Sequence, residues 1–126
     1  MKNPEKYSLA ETPEGLYDLS MLEDMDDNEY LLEVLTIWLM ESPKDIADMK
    51  EALEAGKTDV VCKKAHKFKS SAGVIQAEHL RAMLENIEKL GKSGAPAGEI
   101  SCLVENVNRE YTIIEKSLKK YMEGLT

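Results

Sequence analysis

In residues 100–121, ISCLVENVNREYTIIEKSLKKY, apolar side chains recur at steps of three and four along the chain. Because an α-helix has 3.6 residues per turn, this spacing places them on one face. We expect a long amphipathic helix that runs almost to the C-terminus. Its predicted inward positions are Ile100, Leu103, Val107, Tyr111, Ile114, Leu118 and Tyr121.

A second long helix is predicted from an N-cap at Asp27 or Asn28 up to Gly56. Ser42-Pro43 falls within it, and proline removes one backbone donor and clashes with the preceding turn. We therefore expect a kink, or a restart capped by Ser42. The predicted inward positions are Leu31, Leu35, Trp38, Ile46, Met49 and Leu53.

Two shorter helices are predicted between these two. The first has Thr58 or Asp59 as its N-cap and ends at Gly73, and the second begins near Ala77 and ends in the loop GKSGAPAG. Their predicted inward positions are Val61, Ala65, Phe68 and Ala72 in the first, and Leu80, Met83, Leu84, Ile87 and Leu90 in the second.

The N-terminal part has weaker patterns. Residues 1–17 show no sustained period and are predicted to be an extended lead-in. Ser20 and Glu23 have capping-box spacing, which predicts a short helix over about residues 20–26 as a lid. No segment alternates with period two. We therefore predict an all-α fold over residues 18–126, an antiparallel four-helix bundle with a short N-terminal capping helix.

Length and charge exclude several classes of protein. The length of 126 residues suits one ordinary domain. The net charge of -8 argues against nucleic acid or anionic lipid as the main partner. It contains no apolar run long enough for a membrane span, and MKNPEKYSLAETPEG lacks the apolar stretch of a secretory signal. We expect a cytoplasmic monomer in which Cys62 and Cys102 stay reduced.

The one basic segment is residues 59–73, DVVCKKAHKFKSSAG, where four lysines oppose Asp59 alone, a net charge of +3. At 100° per residue, His66 lies about 130° from the centre of the apolar stripe, so the imidazole is predicted to be exposed. We expect an open, cationic site. The residues predicted to share its face are Asp59, Cys62, Lys63, Lys69, Ser70 and Gly73.

Such a setting suits a nucleophilic imidazole. Neighbouring ammonium groups favour the neutral ring and can pair with an arriving phosphoryl group, and small side chains leave room for a partner. The alternative is a surface histidine among solubilising lysines, and spacing alone does not decide between the two.

A metal site has weaker support. Cys62 and His66 stand four residues apart, but a zinc site needs two more ligands, and His79 and Cys102 fall on two other helices. We expect no bound metal.

Nucleotide and paired-carboxylate chemistry are also disfavoured. The GKS of residues 91–93 matches the end of a phosphate loop, but Asn86 stands where the first glycine belongs and no strand precedes it. Asp26 and Asp27 lie just before a helix, where acidic side chains serve as caps.

The stretch AHKFKSSAGVIQAEHL, residues 65–80, resembles the signature of histidine-containing phosphotransfer (HPt) domains of bacterial and plant multistep phosphorelays. His66 and Lys69 match in place. The continuation LRAMLENIEKLGK is similar to the family's second half, in which spaced leucines precede an apolar-Glu pair, here Ile87-Glu88. The lead-in LYDLSMLEDM and a helix with a central proline extend the resemblance over roughly residues 16–122.

The resemblance implies a bundle that accepts a phosphoryl group on His66 from the aspartate of a receiver domain and passes it reversibly to another receiver. Lys69 would stabilise the phosphate, and the partner would dock on Cys62, Lys63, Lys67, Ser70 and Gly73. The partners would be response-regulator receivers or a hybrid sensor histidine kinase. No cofactor is expected on this chain, because the magnesium belongs to the receiver, and no ATP-dependent kinase activity is expected.

Two positions depart from the family pattern. Ser70 and Gln76 stand where the family usually has glycine, and Ser70 narrows the space beside the phosphoryl group. A rival hypothesis is a non-catalytic helical interaction module in which His66 is incidental, and phosphorylation by a receiver discriminates the two.

Overall fold

The computed structural model describes residues 15–125, where it has five helices and no strands. They are α1 (Ser20–Glu23), α2 (Asn28–Glu54), α3 (Thr58–Val74), α4 (Glu78–Ser93) and α5 (Ala97–Leu125). None of these five helices has the length and the apolar composition that a membrane-spanning helix needs. The predicted lead-in falls mostly on residues 1–14, outside the described residues, and the boundary at residue 18 stays a prediction.

Four helices form the predicted antiparallel bundle. Each of α2, α3, α4 and α5 packs on two neighbours, in the cyclic order α2, α3, α4, α5, and α1 contacts α2. The predicted inward positions are confirmed: most are buried, and Leu53, Met83, Leu90, Leu103 and Tyr121 are half-buried against the core. Phe68 lies at the centre, with its ring 6.1 Å from that of Trp38.

Helix α2 begins as predicted, and one of the two alternatives expected at Ser42-Pro43 is wrong. The Asp27 side chain accepts a hydrogen bond from the backbone N–H of Tyr30, which makes Asp27 the N-cap. The restart at Ser42 is wrong, because α2 continues through Pro43, and the Ser42 hydroxyl donates instead to the carbonyl of Trp38.

Pro43 has no N–H to offer the carbonyl of Leu39, one turn earlier in α2. The hydroxyl of Tyr111 on α5 donates a hydrogen bond to that carbonyl oxygen at 3.3 Å. A side chain from a neighbouring helix thus replaces the missing helical bond, which explains how the helix tolerates the proline without a break.

The lid is shorter than predicted and differently capped. Ser20 is not its N-cap: Leu19 holds that position, and the Asp18 side chain accepts from the Ser20 N–H. Helix α1 is tied to α5 by a hydrogen bond from Tyr121 to Glu23, and the segment before α1 by one between the hydroxyls of Tyr17 and Ser117.

The ends of α3 also differ by a residue or more from the prediction. Lys57 is the N-cap, without a side-chain hydrogen bond, and α3 runs past Gly73 to Val74. The turn that follows places Gln76 at a φ of 50°, in the left-handed region that favours glycine. This geometry accounts physically for a preference for glycine at the position of Gln76.

Candidate functional site

His66 lies on the solvent face of α3, as predicted. Its side chain is 65% exposed, whereas the flanking Ala65 and Phe68 are fully buried on the opposite side of the helix. The burial of that stripe fixes the rotation of α3. His66 is therefore held outward by the packing of its neighbours.

A glutamate on α4 holds the imidazole in place. Oε2 of Glu88 lies 3.1 Å from Nδ1 of His66, and Oε1 of the same carboxylate lies 2.7 Å from Nζ of Lys69. The Glu88 side chain is only 8% exposed. One buried carboxylate thus joins the two α3 residues that the sequence singled out.

Glu88 was not among the predicted site residues. It stands one turn after Leu84 and beside Ile87, on the buried side of α4. The sequence signal that could have identified Glu88 is a charged residue next to an apolar stripe. A carboxylate buried there needs a cation or a hydrogen-bond donor nearby. The sequence analysis noted Glu88 only as half of an apolar-Glu pair.

The protonation state of Glu88 follows from its surroundings. Burial opposes ionisation, but the pairing with Lys69 and with His66 outweighs it and holds the pKa of Glu88 below its ordinary value. Glu88 is therefore an anion at neutral pH and acts only as a hydrogen-bond acceptor.

The site is open, as expected, but the expectation that it is cationic is wrong. Three of the four α3 lysines pair with carboxylates on neighbouring helices: Lys64 with Asp48 at 3.1 Å, Lys67 with Asp45 at 2.8 Å, and Lys69 with Glu88. The sequence of α3 alone could not show these partners, because α2 and α4 supply them. The local charge is largely neutralised.

Lys67 is held by a buried acid. The Asp45 side chain is 3% exposed, and its hydrogen bond to Lys67 raises the pKa of that ammonium. Lys67 belongs to the α2–α3 seam, about 100° around α3 from His66. Lys63 is exposed, and its side chain forms no ion pair within residues 15–125.

The other predicted docking residues divide into two groups. Ser70 is exposed one turn after His66, and Gly73 is half-buried one turn further. Cys62 is instead half-buried in the α3–α4 seam, where its thiol donates to the carbonyl of Glu88 and packs against Gly91 so closely that any Cβ there would collide with Sγ. Cys62 is therefore a packing residue more than an exposed contact.

The second histidine has a similar partner but a different setting. Nδ1 of His79 lies 2.7 Å from Oε1 of Glu110 on α5, and its side chain is 68% exposed. The other oxygen of Glu110 is buried and has no hydrogen-bond partner among the described residues. His66 differs from His79 because the carboxylate that contacts it, Glu88, also pairs with the ammonium group of Lys69.

The residues weighed as metal ligands do not converge. Within residues 15–125 no three His, Cys, Asp or Glu side chains group in a way that could hold a metal ion, and the two cysteines are free. Cys102 is exposed on α5.

Comparison with known proteins identifies the family. A family model described as Hpt domain matches residues 33–124, well over half of the chain, and this range contains His66, Lys69 and Glu88. Neither curated proteins nor solved structures returned a match. The matched range includes all of α3 and α4 and most of α2 and α5. The chain therefore belongs to the Hpt domain family, the histidine phosphotransfer modules of phosphorelays.

Proposed function

We propose that this protein accepts a phosphoryl group on His66 from the aspartyl phosphate of a receiver domain and returns it to the aspartate of another receiver. The observation that carries the proposal is the contact between Nδ1 of His66 and the buried Glu88 carboxylate, with the ring otherwise exposed. Family membership supports the phosphorelay role, and the donor and acceptor domains are our inference.

The contact selects one tautomer of the imidazole. An ionised Glu88 can only accept a hydrogen bond, so Nδ1 of His66 must carry the proton. Nε2 then keeps its lone pair, and the side chain that carries it is 65% exposed. Nε2 is therefore the nucleophile in this proposal.

The transfer is a displacement at phosphorus. The lone pair of Nε2 forms the P–N bond while the P–O bond to the receiver's aspartate breaks, and the leaving carboxylate takes the electron pair. The proton on Nδ1 stays between the ring and Glu88, so the positive charge that develops on the imidazole is matched by an anion. The reverse transfer follows the same path.

Lys69 has the second role in the proposal. Its Nζ lies 2.7 Å from Glu88 and its side chain is 21% exposed, which leaves the ammonium group beside the imidazole and reachable by a phosphoryl oxygen. We assign it to charge stabilisation of the transferred group. The magnesium ion and its acidic ligands are assigned to the receiver, which supplies them from its own pocket.

The test compares two phosphoryl donors. The isolated protein is incubated with labelled ATP alone, or with labelled phospho-receivers and Mg²⁺ from a panel of receivers. We expect no label from ATP and a label from a cognate receiver that is acid-labile and alkali-stable, as a phosphoramidate is. Absence of label from every receiver would favour the non-catalytic interaction module.

A further inference from the structure

Arg81 of α4 lies across the backbone of α3. Its Nε and Cδ are 3.6 and 3.8 Å from the position that a Cβ on Gly73 would occupy. The stem of the arginine therefore rests over α3 at Gly73, at a distance that would be ordinary van der Waals contact with a Cβ there. The Arg81 side chain remains 42% exposed.

Gly73 is on the same face of α3 as His66. The two are seven residues apart, which is almost two turns, about 20° apart in rotation and about 10 Å apart along the axis. Exposed Ser70 lies between them. Arg81 therefore borders the His66 face at its C-terminal end.

The charge of Arg81 is more available than that of Lys67 or Lys69. Lys67 and Lys69 pair with carboxylates that are 3% and 8% exposed. Arg81 instead pairs at 2.6 Å with Glu78, one turn away on the same helix and 65% exposed. An ion pair in water contributes little and exchanges readily for another carboxylate.

We propose that Arg81 is a docking residue, whose guanidinium binds a carboxylate on the surface of the receiver and orients that domain over His66. The inference rests on the proposed function. A guanidinium presents a planar fork that matches a carboxylate in two hydrogen bonds, and it is already partly ordered against Gly73. A receiver centred over His66 reaches it within two helical turns.

The chain offers a matched control, because Arg109 is its other arginine. Arg109 is exposed on α5, where it donates to Asn106 of the same helix. Single-turnover transfer from a labelled phospho-receiver is measured against receiver concentration for wild type, Arg81→Ala, Arg81→Lys and Arg109→Ala.

We expect Arg81→Ala to raise the half-saturating receiver concentration at least fivefold and to leave the limiting rate unchanged. Arg81→Lys should recover part of the loss, and Arg109→Ala should match wild type. A half-saturating concentration within twofold of wild type for Arg81→Ala would overturn the proposal. An equal rise in the half-saturating concentration for Arg109→Ala would also overturn it, since the effect would then come from the net charge of the protein and not from the position of Arg81.

Phosphoramidate separates docking from chemistry. This small donor transfers its phosphoryl group to Nε2 as its own P–N bond breaks and ammonia leaves, so it needs no docking face. Arg81→Ala should be labelled by phosphoramidate at the wild-type rate, and a slower rate would contradict a pure docking role. If wild type is labelled by phosphoramidate but by no receiver, the proposed function itself fails and the docking role fails with it.

Discussion

The carboxylate of Glu88 bridges His66 and Lys69, with Oε2 3.1 Å from Nδ1 of the imidazole and Oε1 2.7 Å from the ammonium nitrogen. The bridge crosses from α4 to α3, and its carboxylate is nearly buried. It sets the tautomer of His66 and the position of Lys69 at once, so a change at this one residue should affect both.

Glu88→Gln should slow phosphoryl transfer about 5-fold to 10-fold, because a hydrogen bond to a charged group contributes about 1 to 1.5 kcal/mol more than one to a neutral group. The amide can still accept from Nδ1, so the loss reports mainly the missing negative charge. The measurement is the limiting transfer rate from one cognate phospho-receiver. Glu85→Gln is the control, since Glu85 is exposed on α4 and within residues 15–125 pairs only with Lys89. Equal rates for the two variants would contradict the role of Glu88.

Stability should depend on pH through the same carboxyl group. The folded protein holds the pKa of Glu88 below its ordinary 4.5, so the unfolded chain takes up the proton first as the pH falls. The stabilisation is complete above that ordinary value and is lost as the pH falls through the folded value. Urea unfolding should therefore show a stability difference between wild type and Glu88→Gln that shrinks below about pH 4.5, and a difference constant with pH would count against this assignment.

Two neighbours on α3 should separate packing from chemistry. Phe68 is fully buried, so Phe68→Ala should lose about 3 to 5 kcal/mol of unfolding free energy. Lys69→Ala leaves Glu88 without its ammonium partner, which should cost about 1 to 3 kcal/mol and slow transfer. Urea midpoints distinguish the two, and a Lys69→Ala midpoint as low as that of Phe68→Ala would show that Lys69 is chiefly structural.

Ser70 should control the approach of the receiver. It is exposed one turn after His66, so Ser70→Glu places a bulky carboxylate beside the imidazole, where it repels the phosphoryl group and the receiver's acidic pocket. Transfer should be blocked while circular dichroism stays native. Ser70→Gly should transfer normally at a cost of about 0.5 to 1 kcal/mol in helix stability, and wild-type transfer by Ser70→Glu would place the docking face elsewhere.

The sequence predicts the bundle well because its apolar positions follow the helical period. Phe68 and Leu84 are buried by that period alone, whatever their neighbours are. The exposure of His66 follows in the same way. Helix ends were less predictable, as at Gly73, because the turn that follows depends on Gln76 adopting a positive φ.

The charge of the site could not be predicted from α3. Asp45 and Glu88 lie 22 residues from Lys67 and His66, respectively, and only the packing of the bundle brings each pair together. A periodicity argument assigns a face to each residue but no partner. The bond that compensates for Pro43 within α2 escaped prediction for a similar reason, since Tyr111 on α5 supplies it.

The most direct test maps the phosphoryl group. His66 and His79 have similar exposure and each contacts a glutamate through Nδ1, so His66→Gln and His79→Gln form a matched pair. Both are incubated with a cognate phospho-receiver and Mg²⁺, checked for native circular dichroism, and analysed for phosphohistidine. The account predicts that His79→Gln keeps the full label on Nε2 of His66 and that His66→Gln carries none; stoichiometric label on folded His66→Gln would contradict it.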